Sequence, residues 1–188
     1  MKSFFTLTGK VSSQPFCLKA FVLFFFVLFS ACAFAQRTAS VSGNWNSTAT
    51  WGGAAVPTSA DAVTINQGVT VTVNITTAAC ASVVINNSSN GTGTLQFNNT
   101  SILTVSGGVT LGGTGSRVGN LTMTNGGTLK LTGSLTVTNG TFTPGTGTIE
   151  YSGSAQTVSA RAYNNLTLSG SGAKTINTGT SVTRLLSI

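Results

Sequence analysis

Histidine is absent from this 188-residue chain, and acidic residues number only two, Asp61 and Glu150, against nine lysines and arginines. Without histidine there is no side chain that ordinarily titrates near neutral pH, no usual partner for a serine or cysteine nucleophile, and none of the commonest metal ligand. The two carboxylates stand 89 residues apart, which in a repeat architecture is several coils, too far for the paired acids of glycoside hydrolysis. One acid per site also cannot replace the roughly six to eight oxygens that surround calcium. Cysteine is nearly as scarce. Cys17 and Cys32 fall in the N-terminal leader, leaving Cys80 in a run of small residues, Thr77 to Ala81, where a buried small hydrophobe and no disulfide are expected. The basic residues after the leader, Arg37, Arg117, Lys130, Arg161, Lys174 and Arg184, are scattered singly without interleaved aromatics, so the footprint of a nucleic-acid binder is missing. Gly107-Gly108 and Gly112-Gly113 precede no helix that could aim its N-terminus at a phosphate, and are expected to be corners. No catalytic residue, cofactor or metal site is expected, and the protein is expected not to be an enzyme.

The first 35 residues differ from the rest. Lys2, Lys10 and Lys19 precede a nearly unbroken apolar run from Ala20 to Ala35 that ends in Ala33-Phe34-Ala35, the order of a secretory signal peptide (1–35) with a small-residue cleavage site. The run is shorter than the ~20 apolar residues of a spanning helix, so no membrane span is expected after cleavage. Leu28-Phe29-Ser30-Ala31-Cys32 only loosely fits a lipid-attachment signal, since Phe29 is bulky, and lipid anchoring at Cys32 is not expected. The remaining residues, 36–188, suffice for one exported domain at the cell surface or outside the cell.

What this segment has in abundance is a short alternating pattern. Val63-Thr64-Ile65, Val69-Thr70-Val71, Leu103-Thr104-Val105, Leu121-Thr122-Met123 and Leu135-Thr136-Val137 each place apolar residues at i and i+2 around a threonine, the signature of a half-buried strand. Clusters such as Asn125-Gly126-Gly127 separate them and supply the positive φ that tight corners require. The pattern also repeats at long range. Leu95, Phe97, Leu103, Val105, Val109 and Leu111 are answered 26 residues later by Leu121, Met123, Leu129, Leu131, Leu135 and Val137. A fixed period of this length marks a solenoid, in which each coil buries its apolar side only by stacking on the next. The expected fold is all-β, a right-handed parallel β-helix of about six coils at ~4.8 Å per coil, with an antiparallel β-sandwich as the alternative. Upstream, the period pairs Val69 and Val71 with Leu95 and Phe97, and sets Thr77 opposite Leu103. Downstream it loosens, with Ile149 and Tyr151 falling 28 after Leu121 and Met123, and Leu166 falling 31 after Leu135. Corner insertions at Pro144-Gly145 and Ala162-Tyr163-Asn164 are the expected cause. Outward columns read from the period, Thr70–Gln96–Thr122, Val84–Thr110–Thr136 and Thr104–Lys130, are interrupted, so an ordered ice-binding plane of threonine is not expected.

Gly43-Asn44-Trp45-Asn46-Ser47-Thr48-Ala49-Thr50-Trp51-Gly52, followed by Pro57, Asp61, Val63 and Ile65, resembles the opening of many secreted repeat proteins of Bacteroidetes and the start of the G8 domain. Tyr151-Ser152-Gly153-Ser154-Ala155-Gln156-Thr157-Val158 and Tyr163-Asn164-Asn165-Leu166-Thr167-Leu168 resemble a module common in the same surface proteins. The resemblance implies an exported β-strand-repeat protein of the cell surface. Residues 36–62 are expected to form an N-terminal cap in which Trp45 and Trp51 cover the apolar end of the first coil and Asp61 satisfies backbone donors. Residues 63–188 are expected to be the repeats, open at the C-terminus and available there for edge-strand association, either as part of a longer frame or covered by a partner. The expected function is that of a scaffold or adhesin-like segment. A carbohydrate-binding or G8-like recognition module with Trp45, Trp51 and Tyr163 as contacts is the first alternative, and an accessory part of a β-helix polysaccharide-active enzyme is the second. Extracellular polysaccharide or another surface chain is the expected partner.

Overall fold

A computed structural model describes residues 35–86 and 89–188, so Cys32 and all of the expected signal peptide except Ala35 lie outside the described residues. Phe34–Ile188 is one compact unit. Its first strands are β1 (Gln36–Ala39) and β2 (Gly43–Asn44), followed by a single 3-10 turn, η1 (Thr48–Trp51). Then come β3 (Ala62–Ile65), β4 (Thr70–Val73), β5 (Ala78–Cys80), β6 (Ser82–Ile85), β7 (Gly91–Phe97), β8 (Ile102–Val105) and β9 (Val109–Leu111). The chain continues through β10 (Arg117–Thr122), β11 (Thr128–Leu131), β12 (Leu135–Val137), β13 (Gly140–Thr143) and β14 (Thr148–Tyr151). It closes with β15 (Gln156–Val158), β16 (Ala162–Leu168), β17 (Lys174–Ile176) and β18 (Ser181–Ser187).

From β3 to β14 every third strand returns to the same face. One sheet holds β1, β3, β6, β9 and β12; a second holds β2, β4, β7, β10 and β13; a third holds β5, β8, β11, β14, β16 and β18. All pairs within these sheets are parallel. The fold is therefore a parallel β-solenoid of about six turns, and the antiparallel sandwich is set aside. Alternation decides which side chains face inward. In β3, β4, β6, β8 and β11 the pattern is half-exposed, buried, half-exposed, buried, so each short strand sends two apolar side chains into the lumen. At roughly 1.5–3 kcal/mol for each fully buried aliphatic side chain, this lumen is the main source of stability.

The 26-residue period holds through the middle of the stack, where Leu95 pairs with Leu121, Leu103 with Leu129, and Val83 with Val109 and on to Leu135. Elsewhere three expectations are corrected. Upstream, Val71 and Val73 rather than Val69 and Val71 pair with Leu95 and Phe97, and Ala78 rather than Thr77 pairs with Leu103. Downstream, Ile149 and Tyr151 pair with Leu129 and Leu131, 20 residues back, and Leu166 pairs with Ile149, 17 residues back. Finally, the drift comes from a loss, not from corner insertions. The second sheet ends at β13, and after it each coil carries two strands in place of three, β15 and β17 forming a separate two-stranded sheet.

The first coil also begins earlier than 63. β1 pairs with β3 from Gln36–Ala62 to Ala39–Ile65, so residues 36–62 include a strand of the solenoid itself. Among the described residues no helix is long and apolar enough to cross a membrane.

Candidate functional site

At the N-terminal end, η1 packs against β1 and β2. Ser47 is extended and Gly52 closes the turn at φ +66°, donating its N–H to the Ala49 carbonyl. The turn brings Trp45 and Trp51 edge to face, with centroids 5.2 Å apart and rings at 74°. Trp51 Nε1–H donates to the Trp45 carbonyl at 2.8 Å, and Thr50 Oγ1–H donates to the Asn44 carbonyl at 2.9 Å. The rings are 1% and 3% exposed. Neither offers a face on which a sugar ring could stack, and both belong to the apolar core. Asp61, also buried, accepts hydrogen bonds from Thr58 N–H at 2.7 Å and Thr58 Oγ1–H at 2.8 Å, and lies 3.5 Å from Arg37 Nε. Burial works to raise its pKa, but the two Thr58 donors and the Arg37 guanidinium outweigh it and hold the carboxyl below its ordinary value. Asp61 thus satisfies donors in the loop leading into β3.

Tyr163, the other expected contact, is buried as well, at 1% exposed. Its ring packs on Phe142, the inward residue of β13, at 5.8 Å, and on Tyr151 at 6.5 Å. Tyr163 Oη–H donates to the Ser159 carbonyl at 2.8 Å, so the 3.0 Å bond between the two phenols has Tyr151 as donor, and Tyr151 Oη accepts from Ser159 N–H at 3.3 Å. Burial and the neighbouring Tyr151 push the Tyr163 phenol far above its ordinary pKa. Tyr163 thus joins Phe142 and Tyr151 into one aromatic cluster where the second sheet stops.

The narrowing also leaves a seam on the adjoining face, because β12 and β15 do not pair. Side chains span it in place of a backbone ladder. Gln156 Nε2 donates to the carbonyls of Leu131 at 3.1 Å and Gly133 at 3.0 Å, its Oε1 accepts from Gly153 N–H, and Ser159 Oγ–H donates to the Leu135 carbonyl. A cavity of about 270 Å³ opens beside Gln156, lined by Thr132, Gly133, Ser134, Ala155 and Thr157. Its lining has neither a charged side chain nor an aromatic face.

Glu150 stands on the outer face of the third sheet, in the column Thr104–Lys130–Glu150–Thr167. Lys130 Nζ donates to its Oε1 at 2.8 Å, and Ser169 Oγ–H donates to the same oxygen. Burial works to raise its pKa, but these two donors and the Lys130 charge outweigh it and leave it below the ordinary value. Both carboxylates are thus engaged in ion pairs on different faces. Cys80 is buried, and desolvation pushes its thiol up to about 12, which matches a structural rather than a nucleophilic residue. Among the described residues no three His, Cys, Asp or Glu side chains come together.

The second sheet carries the most regular outer face. Its columns are Thr70–Thr94–Asn120–Thr141 and Thr72–Gln96–Thr122–Thr143, which corrects the expected Thr70–Gln96–Thr122 line. Gln96 Nε2 donates to Thr72 Oγ1 at 2.8 Å, so the amide is woven into the hydroxyl row. On the first sheet the column is Thr38–Thr64–Val84–Thr110–Thr136. Each column is interrupted at one position.

No protein family, curated protein or solved structure matches this chain.

Proposed function

We propose that the chain is a non-enzymatic, exported β-repeat module that acts as a rigid spacer or adhesive scaffold at the cell surface, akin to the secreted repeat proteins of Bacteroidetes with a G8-like opening. The observation that carries this is how the side chains are used. Inward columns are apolar, the repeated outward columns are chiefly hydroxyl and amide, and both acids are held in ion pairs. Such a chain spends its sequence on stacking and on a neutral surface, as a spacer does. Burial of Trp45, Trp51 and Tyr163 favours the cap over a sugar platform, so the partners proposed, extracellular polysaccharide or another surface chain, would meet the outer columns instead.

Labelling of intact source cells with a membrane-impermeant amine reagent tests the location. Lys130 and Lys174 are partly exposed, and the chain is expected to be labelled on unbroken cells. Labelling only after lysis would contradict export to the surface.

A further inference from the structure

The stability of a repeat stack is close to a sum of coil terms and coil-to-coil interface terms, so cooperativity breaks first where an interface is weakest. One interface inside this stack stands apart. The coil β8–β9–β10 is joined to the coil β11–β12–β13 by three parallel ladders, β8 with β11, β9 with β12 and β10 with β13. The next interface keeps one of the three. Among the described residues only β11 continues, pairing with β14 from Thr128–Thr148 to Leu131–Tyr151, while β12 and β13 end their sheets. Beyond it both strands of the coil are paired again, β14 with β16 and β15 with β17. The weak interface is therefore internal, with fully paired interfaces on either side.

Core packing thins at the same place. Leu111 and Leu121, inward on β9 and β10, are 0% exposed, whereas the residues that stack on them, Val137 and Phe142, are only half-buried. Among the described residues no strand stacks on β12 or β13 to cover them. Side chains do most of the remaining joining. Gln156 and Ser159 reach the Leu131, Gly133 and Leu135 carbonyls, Phe142 meets Tyr163, and Lys130 pairs with Glu150. The ion pair is partly exposed and adds little. The cavity beside Gln156 lies in this interface, with Thr132, Gly133 and Ser134 on one side and Ala155 and Thr157 on the other.

We propose that the stack is built of two cooperative units that meet between β13 and β14, and that the coils from β14 onward open together while those up to β13 stay folded. The interface parts at the Gln156 seam, where no backbone ladder has to be broken, and then along the single β11–β14 ladder. Sub-global openings of this kind follow contiguous structural units. This one uncovers Leu131, Leu135 and Phe142, which the closed stack hides wholly or in part. The inference follows from the ladders and stands apart from the spacer role; in a spacer, the same interface is where load would first separate the coils.

Native-state hydrogen exchange of residues 34–188, read amide by amide, tests this. The slow amides of β14 and β16 are expected to share one opening, roughly tenfold or more favourable than that of β7 to β10, with the step in protection between β10 and β14. Gln156→Ala deletes the bonds to the Leu131 and Gly133 carbonyls. It is expected to favour opening of β14 and β16 together by roughly tenfold and to leave β7 to β10 unchanged. Ser159→Ala, which loses one bond across the seam, is expected to act in the same way by roughly fivefold. A single opening for the whole stack would overturn the proposal, as would protection that declines gradually from β7 to β17. So would substitutions that speed exchange in β15 alone or nowhere.

Discussion

Trp45→Ala is expected to destabilise residues 34–188 by about 3–5 kcal/mol, the range for removing a buried large aromatic. Trp45 and Trp51 are 1% and 3% exposed, stand in edge contact and belong to the apolar core beside the first strands. Truncating Trp45 leaves a large cavity in that core. The Trp45 carbonyl would remain as acceptor for Trp51 Nε1–H, so the loss comes from packing and not from the hydrogen bond. Trp51→Phe isolates the other contribution, keeping a ring while deleting the donor, and is expected to cost about 1 kcal/mol. Urea denaturation followed by tryptophan fluorescence and circular dichroism measures both. A loss below about 1 kcal/mol for Trp45→Ala would mean that the pair does not cap the stack.

Gly112→Ala is expected to cost a similar 3–5 kcal/mol, from strain of a methyl forced into a packed corner together with a left-handed backbone. Gly112 has φ +67°, and a methyl group there would overlap the Asn139 carbonyl oxygen and lie 2.6 Å from that of Arg117. These are backbone atoms of the same and the next coil, which cannot swing aside as a side chain would. The corner is a nest of three glycines, since a methyl on Gly119 would overlap Gly112 N and one on Gly140 would overlap the Gly119 carbonyl. Gly115 is the internal control. It also has a positive φ, +74°, but nothing lies within 4 Å of the position a methyl would take, so Gly115→Ala is expected to cost only about 1–2 kcal/mol of backbone strain. Equal losses at the two positions, measured by urea denaturation, would show that coil contact at this corner is not what requires glycine.

Much of the fold was legible in the 26-residue period, because the coils from β6 to β12 each carry three strands of similar spacing. The period failed where the coil itself changes. Alternation says that Ile149 and Tyr151 point inward but not into which face, and the same two residues satisfy the second sheet or the third equally well. A missing strand therefore looked like an extra loop. β1 was missed for a different reason, since Gln36-Arg37-Thr38-Ala39 buries only Ala39 deeply and has no large alternating apolar residues. At the candidate site, the tryptophan pair is read as a cap from its place ahead of the first repeat, and the structure puts both rings in the core. The phenol pair of Tyr151 and Tyr163 could not, since it depends on the 17-residue coil that joins β14 to β16. The Lys130–Glu150 pair was hidden by the same register, which places them side by side only when β14 stacks on β11.

The loss of the second sheet after β13 thus decides where the aromatics, the seam and the ion pair fall. Nuclear Overhauser contacts across the strands of residues 34–188 test it most directly. The backbone protons of Ile149 are predicted to contact those of Leu129 on one side and Leu166 on the other, with parallel-strand spacing. Contacts from Ile149 to Leu121, or an antiparallel pattern between successive strands, would contradict the account.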